Sequence, residues 1–429
     1  MALCALAFTF WLPTAALPAE CEASWYELAD GSGVDIAPVE EGHYRWRRLD
    51  GTSGLLTKLP SGKWSSTLGW TERSDGKTVD LAACASGVIG FDGQSGRRVD
   101  LATTKVDFSS AGVQLAGRLV MPPGKGPVPV VVLVHGSEDS SALQRYALQR
   151  LLPAQGIGAF VYDKRGTGQS QGVFTHDLHV LAADAEAALR AARSQAGERV
   201  SRIGFYGTSQ GGWTAPLAAA ASRPDFVIVG YGLAVSPIAE DNEALALDMT
   251  RHGFGPAEIE NALEIGAAAQ SIVRHEFAAG YDELRRVADK YRGEPWFRHV
   301  RGNVTGILLK MPEADLRAMG PKLFRDVQPD YDPMPVLRKL PTPQLWILGK
   351  EDIDAPYLET RRRLSSLRQA GAPISIVTYP DAEHGLYLFE TKGEERLSTQ
   401  QPPSLQRLLA DFARGEPLAT RYDDAEVIR

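Results

Sequence analysis

Arg202–Ala218 reads RIGFYGTSQGGWTAPLA, and the fold turns on how the stretch changes period. Ile203, Phe205 and Tyr206 have the continuous apolar character of a short buried strand, ending at Gly207. From Gln210 onward, Trp213, Leu217 and the alanines up to Ala220 follow a helical pattern packed on that strand. Between them lies Gly207-Thr208-Ser209-Gln210-Gly211, a G-x-S-x-G at the point where strand becomes helix. A strand-to-helix turn this sharp strains its central residue and leaves no room for side chains at the flanking positions. Ser209 is therefore expected to project its hydroxyl into the open, above a helix N-terminus.

Working outward, the chain from about Thr104 alternates strands and helices. Lys105–Phe108 and Val113–Met121 read as a hairpin, and Val128–Val134 as an unbroken buried strand. Ala159–Tyr162 is the next strand, then Leu178–Arg193 an amphipathic helix, and Phe226–Tyr231 a strand after the Ser209 turn. Apolar strands between helices predict a mostly parallel sheet covered on both faces. From about Ser236 to Asp332 the alternation stops and helices follow one another: Glu240–Met249, Pro256–Phe277 and Tyr281–Tyr291, with Ile259, Leu263, Ala267, Ile272 and Val273 as a packing stripe. The sheet resumes at Gln344–Leu348 and Ile374–Tyr379 and ends in a helix near Leu405–Ala413. A helical block between two strands of one sheet would cap the strands' C-terminal edge, where open α/β sheets bind ligands. The expected divisions are 104–235 and 336–429 for the two parts of an α/β core, with 236–335 as its helical cap.

Residues 20–100 show no helical period. Aromatic and β-branched alternation, as in Tyr44-Arg45-Trp46-Arg47, is broken by turn signals at Asp30-Gly31, Asp50-Gly51, Ser61-Gly62, Asp75-Gly76 and Asp92-Gly93. A small antiparallel β module is predicted, its tryptophans forming a core in preference to lining a binding face. Residues 1–19 have a short apolar run and small residues up to Ala19, which suits a secretory signal peptide, although no Lys or Arg precedes Arg45. An apolar first strand is the other reading. With Cys4 lost in the signal, Cys21 and Cys84 would remain, and a disulfide in an oxidising, periplasmic or extracellular compartment is expected. Pro18-Ala19-Glu20 before Cys21 is wrong for a lipid anchor.

Ser209 needs a base, because a free hydroxyl is a poor nucleophile at neutral pH. His384, in Asp381-Ala382-Glu383-His384-Gly385 after the last strand, lies at the same sheet edge. His176 and His179 share an H-x-x-H spacing but have no third ligand and read as solvated or capping; His43, His252, His275 and His299 lie off the sheet. The base needs an acid to hold its tautomer. After Gln344–Leu348 comes Gly349-Lys350-Glu351-Asp352-Ile353-Asp354; Asp352 is the choice, then Asp354, then Glu351. The oxyanion of an acyl-transfer intermediate needs backbone donors. Gln210 N–H is one; the other should come from His135-Gly136-Ser137 after Val128–Val134, with Ser137 favoured, Gly136 permitting close approach, and His135 structural.

These residues together resemble the bacterial α/β-hydrolases of the esterase and serine-aminopeptidase-like group. The resemblance rests on His135-Gly136, Asp163-Lys164-Arg165-Gly166-Thr167-Gly168-Gln169-Ser170, the Ser209 turn, Gly349-x-x-Asp352 and His384-Gly385, in the order nucleophile, acid, base. It spans roughly half the chain and excludes the N-terminal module. It implies that Asp163 and Arg165 are structural, with an ion pair between them.

The leading functional expectation is a serine hydrolase cleaving carboxylic esters of small or medium acyl groups through an acyl-enzyme. An exported serine peptidase or amidase uses the same groups, and a non-catalytic binding module on a hydrolase scaffold is the reading from another class. A net charge of −7 without a basic block excludes nucleic acid or an anionic membrane as the natural partner, and the apolar N-terminus is too short for stable membrane insertion. The expected partner is a small ester or short peptide substrate. No metal or organic cofactor is called for, since no ligand cluster and no G-x-G-x-x-G after a strand occurs.

Overall fold

The computed structural model describes residues 21–39 and 42–429; the signal-peptide expectation and Cys4 fall outside them. Eight short strands come first: β1 Ser24–Leu28, β2 Gly33–Pro38, β3 Tyr44–Arg47, β4 Ser53–Lys58, β5 Trp64–Thr67, β6 Ser74–Asp80, β7 Val88–Phe91 and β8 Gln94–Arg98. Each pairs antiparallel with the next and β1 pairs with β8, so the sheet closes into a barrel without free edges. Trp46, Tyr26, Phe91, Leu56 and Ile36 fill it, with Trp25 and Trp64 also buried. These tryptophans are core, as their alternation predicts. Trp70 is the exception: it is partly exposed and packs edge-on against Tyr387 of the following region.

Cys21 and Cys84 form a disulfide across 63 residues, tying the chain ahead of β1 to the turn before β7. Closing a loop of that length removes about 4 kcal/mol of denatured-state freedom. Reduction, or the double change Cys21→Ser/Cys84→Ser, is expected to lower the unfolding free energy by up to that amount, read by urea denaturation with and without reductant.

The second sheet has nine strands: β9 Ala102–Ser110, β10 Val113–Met121, β11 Val128–Val134, β12 Gly158–Tyr162, β13 Val200–Thr208, β14 Phe226–Gly230, β15 Gln344–Gly349, β16 Ile374–Tyr379 and, at the far edge, β19 Glu426–Ile428. Their order is β19-β16-β15-β14-β13-β11-β12-β10-β9, parallel from β12 to β16. The parallel strands are buried on both sides, which is why they read as apolar runs. Helices α3 Leu178–Ala196, α4 Gly211–Ser222, α10 Met334–Lys339 and α11 Tyr357–Gln369 cover one face. The other is covered by α1 Ala142–Arg145, α2 Leu148–Leu151 and α12 Leu405–Arg414. Strand order reverses at β11, which has β12 on one side and β13 on the other. A crevice opens outside the C-terminal ends of strands at such a reversal, and the segments after β11 and β13 carry Ser137 and Ser209.

Between β14 and β15 the chain is helical: α5 Pro237–Arg251, α6 Pro256–Arg274, α7 Tyr281–Tyr291, α8 Thr305–Lys310 and α9 Glu313–Leu323, then α10. Ile265, Ile272, Leu245, Met249 and Val287 give this block a core of its own. A hairpin follows β16, β17 Leu388–Lys392 with β18 Glu395–Gln400. The barrel docks on it through backbone: Trp70 N–H donates to Ser398 O and Gln401 N–H to Gly51 O. Gly69, at φ +53, admits no side chain because a Cβ there would lie 2.1 Å from Thr399 O.

Candidate active site

Ser209 lies at the end of β13 with φ +50, a left-handed conformation that costs a residue with a Cβ about 1–2 kcal/mol. The helix below holds it there, and the helix approaches because Gly207 and Gly211 have no side chains. A Cβ on Gly207 would sit 2.2 Å from Gly211 O, and one on Gly211 2.6 Å from Val134 O. Gly207→Ala is expected to destabilise the protein by about 3 kcal/mol through overpacking, measurable as a fall in Tm.

His384 follows β16 in a short turn tied down on both sides. Glu383 N–H donates to Tyr387 O, Ser398 Oγ–H to Glu383 Oε1, and Gln401 Nε2–H to Gly385 O. Ser209 Oγ stands 3.2 Å from His384 Nε2, and His384 Nδ1 stands 3.0 and 3.2 Å from the two Asp352 oxygens. Asp352 is buried, and its Oδ1 also accepts from the backbone N–H groups of Asp354 and Ala355. Those two donors orient its free oxygen toward the imidazole. Asp354 has its carbonyl bonded to Asn303 and its side chain in the outer cleft.

The backbone N–H groups of Gln210 and Ser137 make no hydrogen bond among the described residues, and both residues border the space above Ser209. Gly136 holds its loop through its carbonyl, which accepts from the buried Lys164 ammonium at 2.7 Å. Burial brings Lys164 down to about 8. His135 is buried with Nε2 against Tyr162 O, and burial lowers it to about 4, leaving a neutral structural ring.

The expected Asp163–Arg165 ion pair is not formed. Asp163 is fully buried and accepts from Ser141 Oγ, Leu143 N–H and Gln169 N–H, stitching two loops together. Arg165 reaches instead to Asp184 on α3, with two bonds of 2.7 and 2.6 Å. Two backbone donors and one hydroxyl claim the shorter side chain locally, so the longer one finds its partner on a helix. Nor is His176 solvated: it stands edge-on to Phe174 and 3.0 Å from Gln210 Nε2, while His179 is exposed.

Residues 125–254 match the family described as serine aminopeptidase, S33. With the sheet order, the Ser209 turn and the matched segment together, the fold is assigned. The chain has the α/β-hydrolase fold. Similar solved structures include the Pyrococcus furiosus esterase Pf2001, at 15% identity over 66% of this chain and 84% of that one, with a TM-score of 0.43. Another is the Pyrococcus horikoshii acylaminoacyl peptidase, at 13% identity over 88% of this chain and 55% of that one, with a TM-score of 0.44. A third is Est1E from Butyrivibrio proteoclasticus with ferulic acid bound, at 16% identity over 72% and 96%, with a TM-score of 0.40. A search of curated proteins found no match.

Two cavities meet at Ser209 in this α/β-hydrolase fold. The outer one, about 1060 Å³, lies under the helical block and includes Trp213, Glu240, Asn303 and Phe324. The inner one, about 570 Å³, runs between the core and the barrel. Glu240, on α5, escaped the sequence reading because only the packing of α5 over the sheet edge brings it near His384. Burial pushes it up to about 8, aided by Asp352 and Asp241 and opposed by His384. Among the described residues no cluster of three or more metal-ligating side chains occurs, and no helix is long and apolar enough to cross a membrane.

Burial is the strongest single influence on His384 and lowers it. The hydrogen bond and charge of Asp352, with the charges of Asp354 and Glu240, outweigh it and hold the imidazole at about 9. A general base must be neutral, so with His384 in that role kcat/KM is expected to rise with pH through about 9. Stability should move oppositely: a histidine raised above its ordinary 6.5 stabilises fully below 6.5 and loses that contribution as pH rises through 9. Glu240→Gln removes one of the raising charges and should shift the kcat/KM limb to lower pH. A pH–rate profile alongside denaturant melts checks both.

Proposed function

We propose that this protein is a serine hydrolase that cleaves carboxylic esters of small or medium acyl groups, with Ser209 as nucleophile, His384 as general base and acid, and Asp352 as its orienting carboxylate. The observation that carries the reading is the unbroken hydrogen-bonded line from Ser209 Oγ through His384 to a buried Asp352. In this mechanism His384 Nε2 takes the Ser209 proton as Oγ attacks the substrate carbonyl. The oxyanion is received by the N–H of Gln210 and that of Ser137 or Gly136, where fixed dipoles act without reorganising. His384 then hands its proton to the leaving group, and water, activated by the same ring, releases the acid. Asp352 keeps the proton on Nδ1, so that Nε2 can accept.

A peptidase or amidase reading is favoured by a different observation: Glu240 and Asp354 place carboxyl groups in the outer cleft beside His384, a setting that suits a substrate bearing an amine. The matching family description names an aminopeptidase. The disulfide supports an exported protein, since such bonds persist in oxidising compartments. The test is fluorophosphonate labelling at Ser209, followed by turnover of 4-nitrophenyl esters against aminoacyl anilides. Labelling with faster ester turnover supports the esterase; faster anilide turnover supports the peptidase. A wild-type protein that neither labels nor turns over belongs with the binding modules.

A further inference from the structure

The inner cavity is shared between the α/β core and the barrel, and the charges on its two sides differ. On the core side, beside Ser209, stands Glu138, whose carboxylate accepts from Tyr146 O–H, and Arg145 lines the same side, so that wall carries one charge of each sign. On the barrel side the wall carries Arg47 and Arg48. Behind Arg47 lie Arg45 and Arg150, both buried. Of these four guanidiniums two reach a carboxylate, the fully buried Asp35, which bonds to Arg150 and lies 3.7 Å from Arg47. Arg45 is held by Gly69 O and the Trp70 ring, and Arg48 makes no ion pair among the described residues. Between the two sides the walls are largely apolar or aromatic, with Leu148, Leu151, Leu405 and Tyr387.

An excess of positive charge, part of it buried, beside a largely apolar cavity is a costly arrangement unless an anion completes it. Guanidinium forks match a carboxylate in geometry as well as charge. The Glu138 carboxylate at the Ser209 end repels an anion from the reacting centre and orients it toward the barrel. We infer that the inner cavity receives the acyl arm of the substrate and that Arg47 and Arg48 recognise a carboxylate at its far end, making the barrel the part of the enzyme that selects half-esters of dicarboxylic acids. The inference rests on the serine-hydrolase reading above and adds the substrate class. Two features of the fold fit it. The barrel docks on the β17–β18 hairpin, which also holds the His384 turn, so the reading end and the reacting end are joined rigidly. Burial also lowers Arg45, to about 10, and Arg47, where the nearby Asp35 charge offsets only part of it.

The test compares 4-nitrophenyl monoesters of adipic, pimelic and suberic acids with uncharged 4-nitrophenyl hexanoate, heptanoate and octanoate. A charge-assisted hydrogen bond of ordinary strength predicts a kcat/KM ratio of about 10- to 100-fold in favour of the charged ester at the best length. That ratio should fall toward one in Arg47→Gln and in Arg48→Gln; Asp35 keeps its bonds to Arg150 in the former. Arg73→Gln, which removes the outer Arg73–Glu390 contact between barrel and hairpin, should keep the wild-type ratio. Free adipate should bind the Ser209→Ala protein by calorimetry and fail to bind when Arg47→Gln is added. A wild-type ratio of one or less at every length, or a ratio untouched by both arginine changes, overturns the inference while Ser209-dependent turnover of the uncharged esters leaves the hydrolase reading standing. No turnover of any ester overturns both.

Discussion

Ser209→Ala is expected to reduce kcat/KM for a 4-nitrophenyl ester by at least about ten-thousand-fold while the protein folds as before. The hydroxyl is a small part of the packing. Its Oγ reaches one partner, His384 Nε2, and the Cβ that alanine keeps already tolerates φ +50. In the proposed mechanism, what disappears is the path to a covalent acyl-enzyme. Residual hydrolysis would come from the oxyanion donors and from water on His384. Intact-protein mass spectrometry after fluorophosphonate treatment checks the chemistry, and thermal unfolding checks the fold. A variant that melts like wild type yet still turns the ester over at wild-type rate would remove Ser209 from the mechanism.

Asp352→Asn should cost about a thousand- to ten-thousand-fold in kcat, with Asp354→Asn costing less than tenfold. The asymmetry follows from geometry. Asp352 Oδ1 accepts from two backbone N–H groups, so an asparagine there keeps its oxygen on them and turns its NH2 toward His384 Nδ1. The ring would then carry its proton on Nε2, facing Ser209, where it cannot accept another. Asp354 contributes only charge to the imidazole. Its replacement should shift the rising limb of the pH profile slightly to lower pH. Steady-state kinetics on both variants separates the roles; equal losses would contradict the assignment of Asp352.

The parallel sheet was legible because its strands are buried on both faces and therefore continuous in apolar residues, from Val128–Val134 to Ile374–Tyr379. The Ser209 turn was legible for a local reason, two glycines where backbone meets backbone. Polar strands gave no such signal. The β17–β18 hairpin, with Glu390, Lys392, Glu395 and Arg396, looks like a loop until it pairs with itself and meets the barrel. The edge strand Glu426–Ile428 is three residues long and exists only through its pairing with β16.

Asp163 and Arg165 illustrate the same limit in a side chain: the family resemblance implied an ion pair between them, yet each found partners elsewhere in the fold.

The amino-acid order by itself determined the class of sheet, the sharp turn that presents Ser209, the candidacy of His384 and Asp352, and the candidacy of Cys21 and Cys84 as a pair. Each depends on local sterics or on a choice among few residues. Tertiary structure alone decided that eight polar-edged strands close into a barrel, that α5 brings Glu240 beside the imidazole, and that Arg47 and Arg48 face a cavity opening on Ser209. Those outcomes depend on contacts between segments far apart in the chain, where burial and unbalanced charge arise from packing that no single stretch encodes.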